Sequence, residues 1–223
     1  MTALNEFLQA SPYFAGLSSP EIESISKLIF EKSVMKGEMI TWEGNTGDAL
    51  YFVVSGAVKC FKTSEDGKEQ IIQIALPGNS FNDVAVFDGG PSSTSSEAMS
   101  LVSLYGIARL DMQKMMDDHP NLAANIVKVM AKHIRSLLDL VEDLSFRHVI
   151  NRIARVLMDY ATDGTGSKPK LTQQEMAAMT GTAREVVGRS LKTLQEEGII
   201  RMERNRLVIA NKETLQHMAN STT

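Results

Sequence analysis

The chain has 223 residues, 43% of them apolar, 22% charged and 6% aromatic. That is enough to bury the core of one large domain or two ordinary ones, and it excludes a disordered tail or a miniprotein; no apolar run approaches the roughly 20 residues of a membrane-spanning helix. A single cysteine, Cys60, excludes an internal disulfide and a cysteine-built zinc or iron–sulfur site, and the formal net charge of -4 hides two unlike halves: residues 1–146 carry 11 Lys and Arg against 19 Asp and Glu, residues 147–223 carry 12 against 8.

An acidic module followed by a basic one is what a regulatory domain joined to a DNA-binding domain produces, because phosphate contact needs local cations rather than a cationic whole. The opening MTALNEFLQASPYF lacks the basic start and apolar stretch of a signal peptide, so the expected location is cytoplasmic, with no membrane partner.

After a short helical arm, Ser19-Pro20-Glu21 reads as a helix start with Ser19 as the cap. From Val34 to Ile107 short runs rich in Val, Ile, Phe and Tyr, such as Leu50 to Val54 and Gln70 to Ile74, alternate with glycines. This spacing predicts short antiparallel strands closed into a barrel or sandwich, with a hairpin at Asp66-Gly67. Helical periodicity begins at Asp111, breaks at His119-Pro120 and resumes to about Leu144.

Within that stretch Val127, Ile134 and Val141 take heptad position a, and Met130, Leu137 and Leu144 position d. Branched residues at a with leucine-like residues at d favour a parallel two-stranded coiled coil, so a homodimer is expected. Leu138 and Leu140 lie off that seam and predict packing on the barrel as well. The expected fold class is α+β, with the antiparallel strands in residues 1–110, a dimerisation helix over 111–146 and a basic domain over 147–223.

The strongest motif lies in the basic half. Thr172-Gln173-Gln174-Glu175 is a capping box that starts a short helix, and Gly181 marks a tight turn into a second helix ending at Gly198. Arg184, Glu185 and Arg189 begin the outer face of this second helix. Arginine bidentate to guanine and glutamate accepting from cytosine is how the first turns of such a helix read a major groove. Residues 199–209, with a polar turn carrying Arg204 and Arg206, predict a two-stranded wing whose arginines reach phosphates.

The segment from Leu171 to Arg189 resembles the winged helix-turn-helix of the cyclic-AMP receptor protein and fumarate–nitrate regulator (CRP/FNR) family. The run from Gly44 through Gly47-Asp48 and Leu50-Tyr51-Phe52 to Gly56 resembles that family's cyclic-nucleotide-binding β-roll. The resemblance makes residues 1–110 a β-roll domain and residues 147–223 a winged helix-turn-helix, and it implies a dimeric bacterial transcription regulator that is not an enzyme. It further implies double-stranded DNA, a small-molecule effector and RNA polymerase as partners. Thr172, Arg184, Glu185, Arg189, Arg204 and Arg206 become the expected DNA contacts, at a palindromic GTGA-like site.

Cyclic-AMP-binding members carry a Glu for the ribose and an Arg-Ser pair for the phosphate. Alignment on Gly78 and Val86-Phe87 puts Asp83 at the Glu and Ser93-Thr94 at the pair, while Leu137 and Leu138 replace hydroxyls that would meet the adenine. A phosphate without a cation keeps its desolvation cost, so the expected effector is not cyclic AMP. An apolar or prosthetic ligand, haem included, is the alternative, with His119 and His133 as candidate axial ligands. Two further readings stay open: a cyclic-nucleotide-responsive regulator, and a nucleotide-binding module that acts through protein contacts. Cys60 and most of the methionines read as core residues, and no nucleophile elbow, phosphate loop or paired-histidine metal motif is present.

Overall fold

A computed structural model describes residues 3–160, 169–203 and 206–221. The chain divides into two compact units, residues 1–62 with 73–136, and residues 63–72 with 137–223.

The first unit opens with α1 (Ala3–Ala10), a 3-10 turn (Pro12–Phe14) and α2 (Ser19–Ser26). The cap of α2 is Ser18 rather than Ser19. Ser18 donates to the Glu21 carboxylate from its backbone N at 2.7 Å and its hydroxyl at 2.6 Å, and such a box needs the acid three residues on, which selects Ser18. The strands are β1 (Ile29–Val34), β2 (Met39–Thr41), β3 (Ala49–Ser55), β4 (Val58–Thr63), β5 (Glu69–Ala75), β6 (Ser80–Phe81), β7 (Ser95–Ala98) and β8 (Val102–Ala108), with α3 (Asp83–Asp88) inserted before β7. They form two four-stranded sheets, β1-β8-β3-β6 and β2-β7-β4-β5. The hairpin at Asp66-Gly67 is present, with Gly67 N bonded to Ser64 O at 2.9 Å.

Alternation along β3 explains the layering, since successive side chains point to opposite faces. Val53 joins Val34, Val58, Cys60, Phe81 and Leu104 in one cluster, whereas Leu50 and Phe52 join Leu8, Tyr13, Phe14, Ile22 and Met112 in the other. The Cys60 thiol is pushed up to about 12 by burial and then by the Asp83 charge, so it stays protonated as a small core residue. Phe30 pairs with Gly106 across β1 and β8, and its ring fills the space where a side chain at 106 would sit.

Two helices follow, α4 (Arg109–Asp118) and α5 (Pro120–Phe146), separated at His119 because proline cannot continue the preceding helix. At 27 residues α5 is about 40 Å long. Its first turns bury Leu122, Asn125 and Ile126, and Asn125 Nδ2 donates to the Tyr13 and Ala15 carbonyls at 3.1 and 2.8 Å.

In the second unit the end of α5 is followed by α6 (Val149–Tyr160), α7 (Gln173–Thr180), α8 (Arg184–Glu196), strands β9 (Ile200–Glu203) and β10 (Arg206–Ile209), and α9 (Lys212–Asn220). The last helix has no strong sequence signal. It is capped by Asn211, which accepts from Thr214 N at 3.0 Å, and it buries Leu215 and Ala219.

Candidate nucleic-acid interface and effector site

The cap of α7 is Thr172. Its hydroxyl accepts from Glu175 N at 3.2 Å, while its own N donates to the Glu175 carboxylate at 2.6 Å and its hydroxyl lies 2.8 Å from the same oxygen. The helix ends at Gly181 with φ 61°, a left-handed conformation that costs glycine little, and a Cβ there would lie 2.7 Å from Leu144 Cδ2. Thr182 N bonds back to Ala177 O at 3.1 Å, so the chain reverses in a short turn and enters α8 at Arg184.

Val187 and Leu194 are fully buried and anchor α8, with Met176, Ala177 and Ala178 of α7 also buried. On the other side of α8, Arg184, Glu185 and Arg189 are exposed at its first two turns. None of the three is in an ion pair among the described residues, so their polar groups face water along the first two turns of the helix. Strands β9 and β10 form the expected ribbon, Arg206 opposite Glu203 through Ile209 opposite Ile200. Arg204 and the side chain of Arg206 lie outside the described residues, so their expected phosphate contacts are not placed. Thr172 is exposed, but its hydroxyl serves the cap.

The expected effector residues fall in both units. Asp83 is buried, Ser93 is exposed and Thr94 half-buried, whereas Leu137 and Leu138 of α5 belong to the second unit and are 44% and 63% exposed. What surrounds Asp83 is a network inside the first unit. Its Oδ2 accepts from the Tyr13 hydroxyl at 3.1 Å and from the Ser80 hydroxyl at 3.4 Å, and lies 3.0 Å from His133 Nδ1.

Burial opposes ionisation of Asp83, but the hydrogen bond and charge of His133, the Tyr13 hydroxyl and the backbone outweigh it and hold the carboxyl below its ordinary value. Burial, and then the Asp83 charge, push the Tyr13 phenol up, which keeps it a donor. Tyr13 and Ser80 carry no sequence signal for this role: they lie 70 and 3 residues from Asp83 and are joined to it only by folding. His119, the other candidate haem ligand, has Nδ1 3.1 Å from Glu21 Oε1. Among the described residues no group of three His, Cys, Asp or Glu side chains is arranged to hold a metal ion.

Along α5 the heptad residues divide by face. Met130 packs against the core of its own unit. Val127, Ile134, Leu137 and Val141 are 67%, 57%, 44% and 58% exposed, and Leu144 is 36% exposed with its tip at Gly181. No helix among the described residues is long and apolar enough to cross a membrane.

Comparison with known proteins agrees with both halves. Residues 31–119 match the cyclic nucleotide-binding domain family and residues 151–218 the Crp-like helix-turn-helix domain. The Cyclic AMP receptor protein of Thermus thermophilus is 30% identical over 212 residues, spanning 95% of this chain and 98% of the relative. The CRP-like cAMP-activated global transcriptional regulator of Mycobacterium tuberculosis is 28% identical, spanning 97% of this chain and all of the relative. The solved structure of FixK2 from Bradyrhizobium japonicum superposes with a TM-score of 0.76 at 25% identity, over 87% of this chain and 99% of that one. With a family model matched in each half and a relative 30% identical along nearly the whole of both chains, the capped α7, the glycine turn and the exposed Arg-Glu face of α8 stand in a recognised frame: the chain belongs to the CRP/FNR family of transcription regulators.

Proposed function

We propose that this regulator acts as a homodimer that binds a palindromic GTGA-like site through Arg184, Glu185 and Arg189, under control of a ligand other than cyclic AMP. The observation that carries the DNA reading is the exposed, unpaired Arg184-Glu185-Arg189 face at the start of a helix that is anchored by the buried Val187 and Leu194. Two such helices related by a two-fold axis match half-sites one helical turn apart. The exposed apolar stripe Val127, Ile134 and Val141 supports pairing of α5 with its copy. The working context is the cytoplasm, with RNA polymerase as the responding machinery.

The effector reading rests on Asp83. Its carboxylate is engaged by Tyr13, Ser80 and His133, and the aligned phosphate positions, Ser93 and Thr94, offer hydroxyls and no cation. A nucleotide would have to displace His133 and desolvate its phosphate without a counter-charge. The second reading, cyclic AMP control, is favoured by the names of the relatives and by the matched nucleotide-binding domain.

Gel-shift titration of a GTGA palindrome and a scrambled duplex, each with and without cyclic AMP, tests both. The expected result is preference for the palindrome, unchanged by the nucleotide. Arg184→Ala or Arg189→Ala should cost about 1–3 kcal/mol on the palindrome and far less on scrambled DNA. Equal losses on both duplexes would reject the base-reading roles, and a rise in palindrome affinity at micromolar cyclic AMP would reject the effector reading.

A further inference from the structure

The junction between α5 and α6 is only two residues long, Arg147 and His148, and a link of this length would swing freely if nothing held it. Five side chains hold it. Arg147 has 10% of its side chain exposed; its Nε lies 2.6 Å from Asp143 Oδ1, its Nη2 3.5 Å from Glu142 Oε1, and its Nη1 donates to the carbonyls of Ala219 and Ser221 at 3.0 Å each. The same Asp143 oxygen receives Arg155 Nη1 of α6 at 2.7 Å. Arg152 Nη1 reaches the carbonyls of Asp143, Leu144 and Arg147 at 3.3, 3.4 and 2.9 Å.

These contacts bind three segments together. Arg152 adds a side-chain donor to carbonyls at and just past the end of α5, and Arg147 does the same at the end of α9, where a cation also meets the negative pole of the helix. A planar group with five donors on three nitrogens spreads over carboxylates and two diverging carbonyls at once, whereas a lysine ammonium carries three donors on a single nitrogen and reaches fewer of them. Asp143 lies between Val141 and Leu144, so the residues that join α5 to α6 and α9 sit on the same two turns as the outward apolar stripe.

We propose that Asp143, Arg147 and Arg155 are positioning residues: they fix the angle at which α5 enters the winged helix-turn-helix and thereby the spacing of half-sites that the dimer accepts. This rests on the dimeric, palindrome-reading function proposed above. A clasp that merely stabilised the second unit would, when broken, weaken binding to every duplex alike. A clasp that sets geometry, when broken, lets each recognition helix swing, and the penalty for a mis-spaced site falls.

The test uses the full-length chain and palindromes whose half-sites are moved by one and two base pairs in each direction, with scrambled DNA alongside. Wild-type protein, dimeric by sedimentation, should prefer one spacing. In Arg147→Met and Asp143→Asn that preference over the neighbouring spacings should fall by about ten-fold, as expected for the loss of one charge-assisted hydrogen bond, with affinity for scrambled DNA unchanged. Arg147→Lys should fall between them and wild type.

Should Arg147→Met fail to fold by circular dichroism, Arg155→Met, whose side chain is already 37% exposed, decides in its place. An intact spacing preference in folded variants, or an equal loss on every duplex, overturns the clasp. A wild-type chain that is monomeric or indifferent to spacing overturns the dimer reading itself and the clasp with it, and that result is read on a different protein from the first.

Discussion

Replacing Asp83 by alanine should destabilise the first unit by about 2–3 kcal/mol, and the estimate follows from what each partner would do next. Asp83 accepts from Tyr13 at 3.1 Å and lies 3.0 Å from His133, with a longer contact to Ser80 at 3.4 Å. The hydroxyls of Tyr13 and Ser80 are themselves 3.0 Å apart, so after truncation they satisfy each other. His133 keeps 31% of its side chain exposed and regains water.

What is lost is thus about one charge-assisted hydrogen bond, ~1.5–3 kcal/mol, plus a small cavity; this is below the ~3–5 kcal/mol for breaking a fully buried pair. Urea unfolding followed by the fluorescence of Trp42, the single tryptophan and part of the first unit, measures it. Because folding holds the Asp83 carboxyl below its unfolded value of about 3.9, its contribution is complete above that pH and is lost as pH falls through the folded value. The gap between wild type and Asp83→Asn should therefore close in acid, below about pH 4. A variant as stable as wild type at pH 7, or a gap undiminished in acid, would refute the role given to this network.

Three further outcomes follow from the same structure. Thr172→Ala removes the cap of α7 and should cost about 1 kcal/mol, seen as a lower thermal midpoint by circular dichroism, with Thr172→Ser near wild type. Gly181→Val places a branched side chain at φ 61° and against Leu144, so it should destabilise by more than ~2 kcal/mol and abolish DNA binding, while Gly181→Asn, which tolerates this conformation, costs less; equal effects would contradict the turn geometry. Ile134→Asp with Val141→Asp puts charge into the outward stripe of α5 and should give monomers in sedimentation with little affinity for a palindrome, whereas an intact dimer would reject that interface.

Features governed by neighbours in the chain were legible without the fold. A capping box is an i,i+3 hydrogen-bond pattern, and Thr172 with Glu175 closes as its spacing predicts, just as the left-handed Gly181 marks the turn and the heptad residues outline a helix that runs to Phe146. Even the misplaced cap at α2 was an error of one residue, since Ser18, not Ser19, stands three before Glu21.

Other features depended on contacts between distant segments. The partners of Asp83 come from residue 13 in the amino-terminal turn and residue 133 in α5, Met130 turns toward its own core, and Arg147 bonds carbonyls at 219 and 221 in a helix that the periodicity did not announce. Local propensity and spacing act over a few residues, whereas a buried charge takes whatever donors packing brings to it. The amino-acid sequence alone therefore identifies a helix-turn-helix and its family, while the company kept by Asp83 and the junction at Arg147 are decided only when the chain closes on itself.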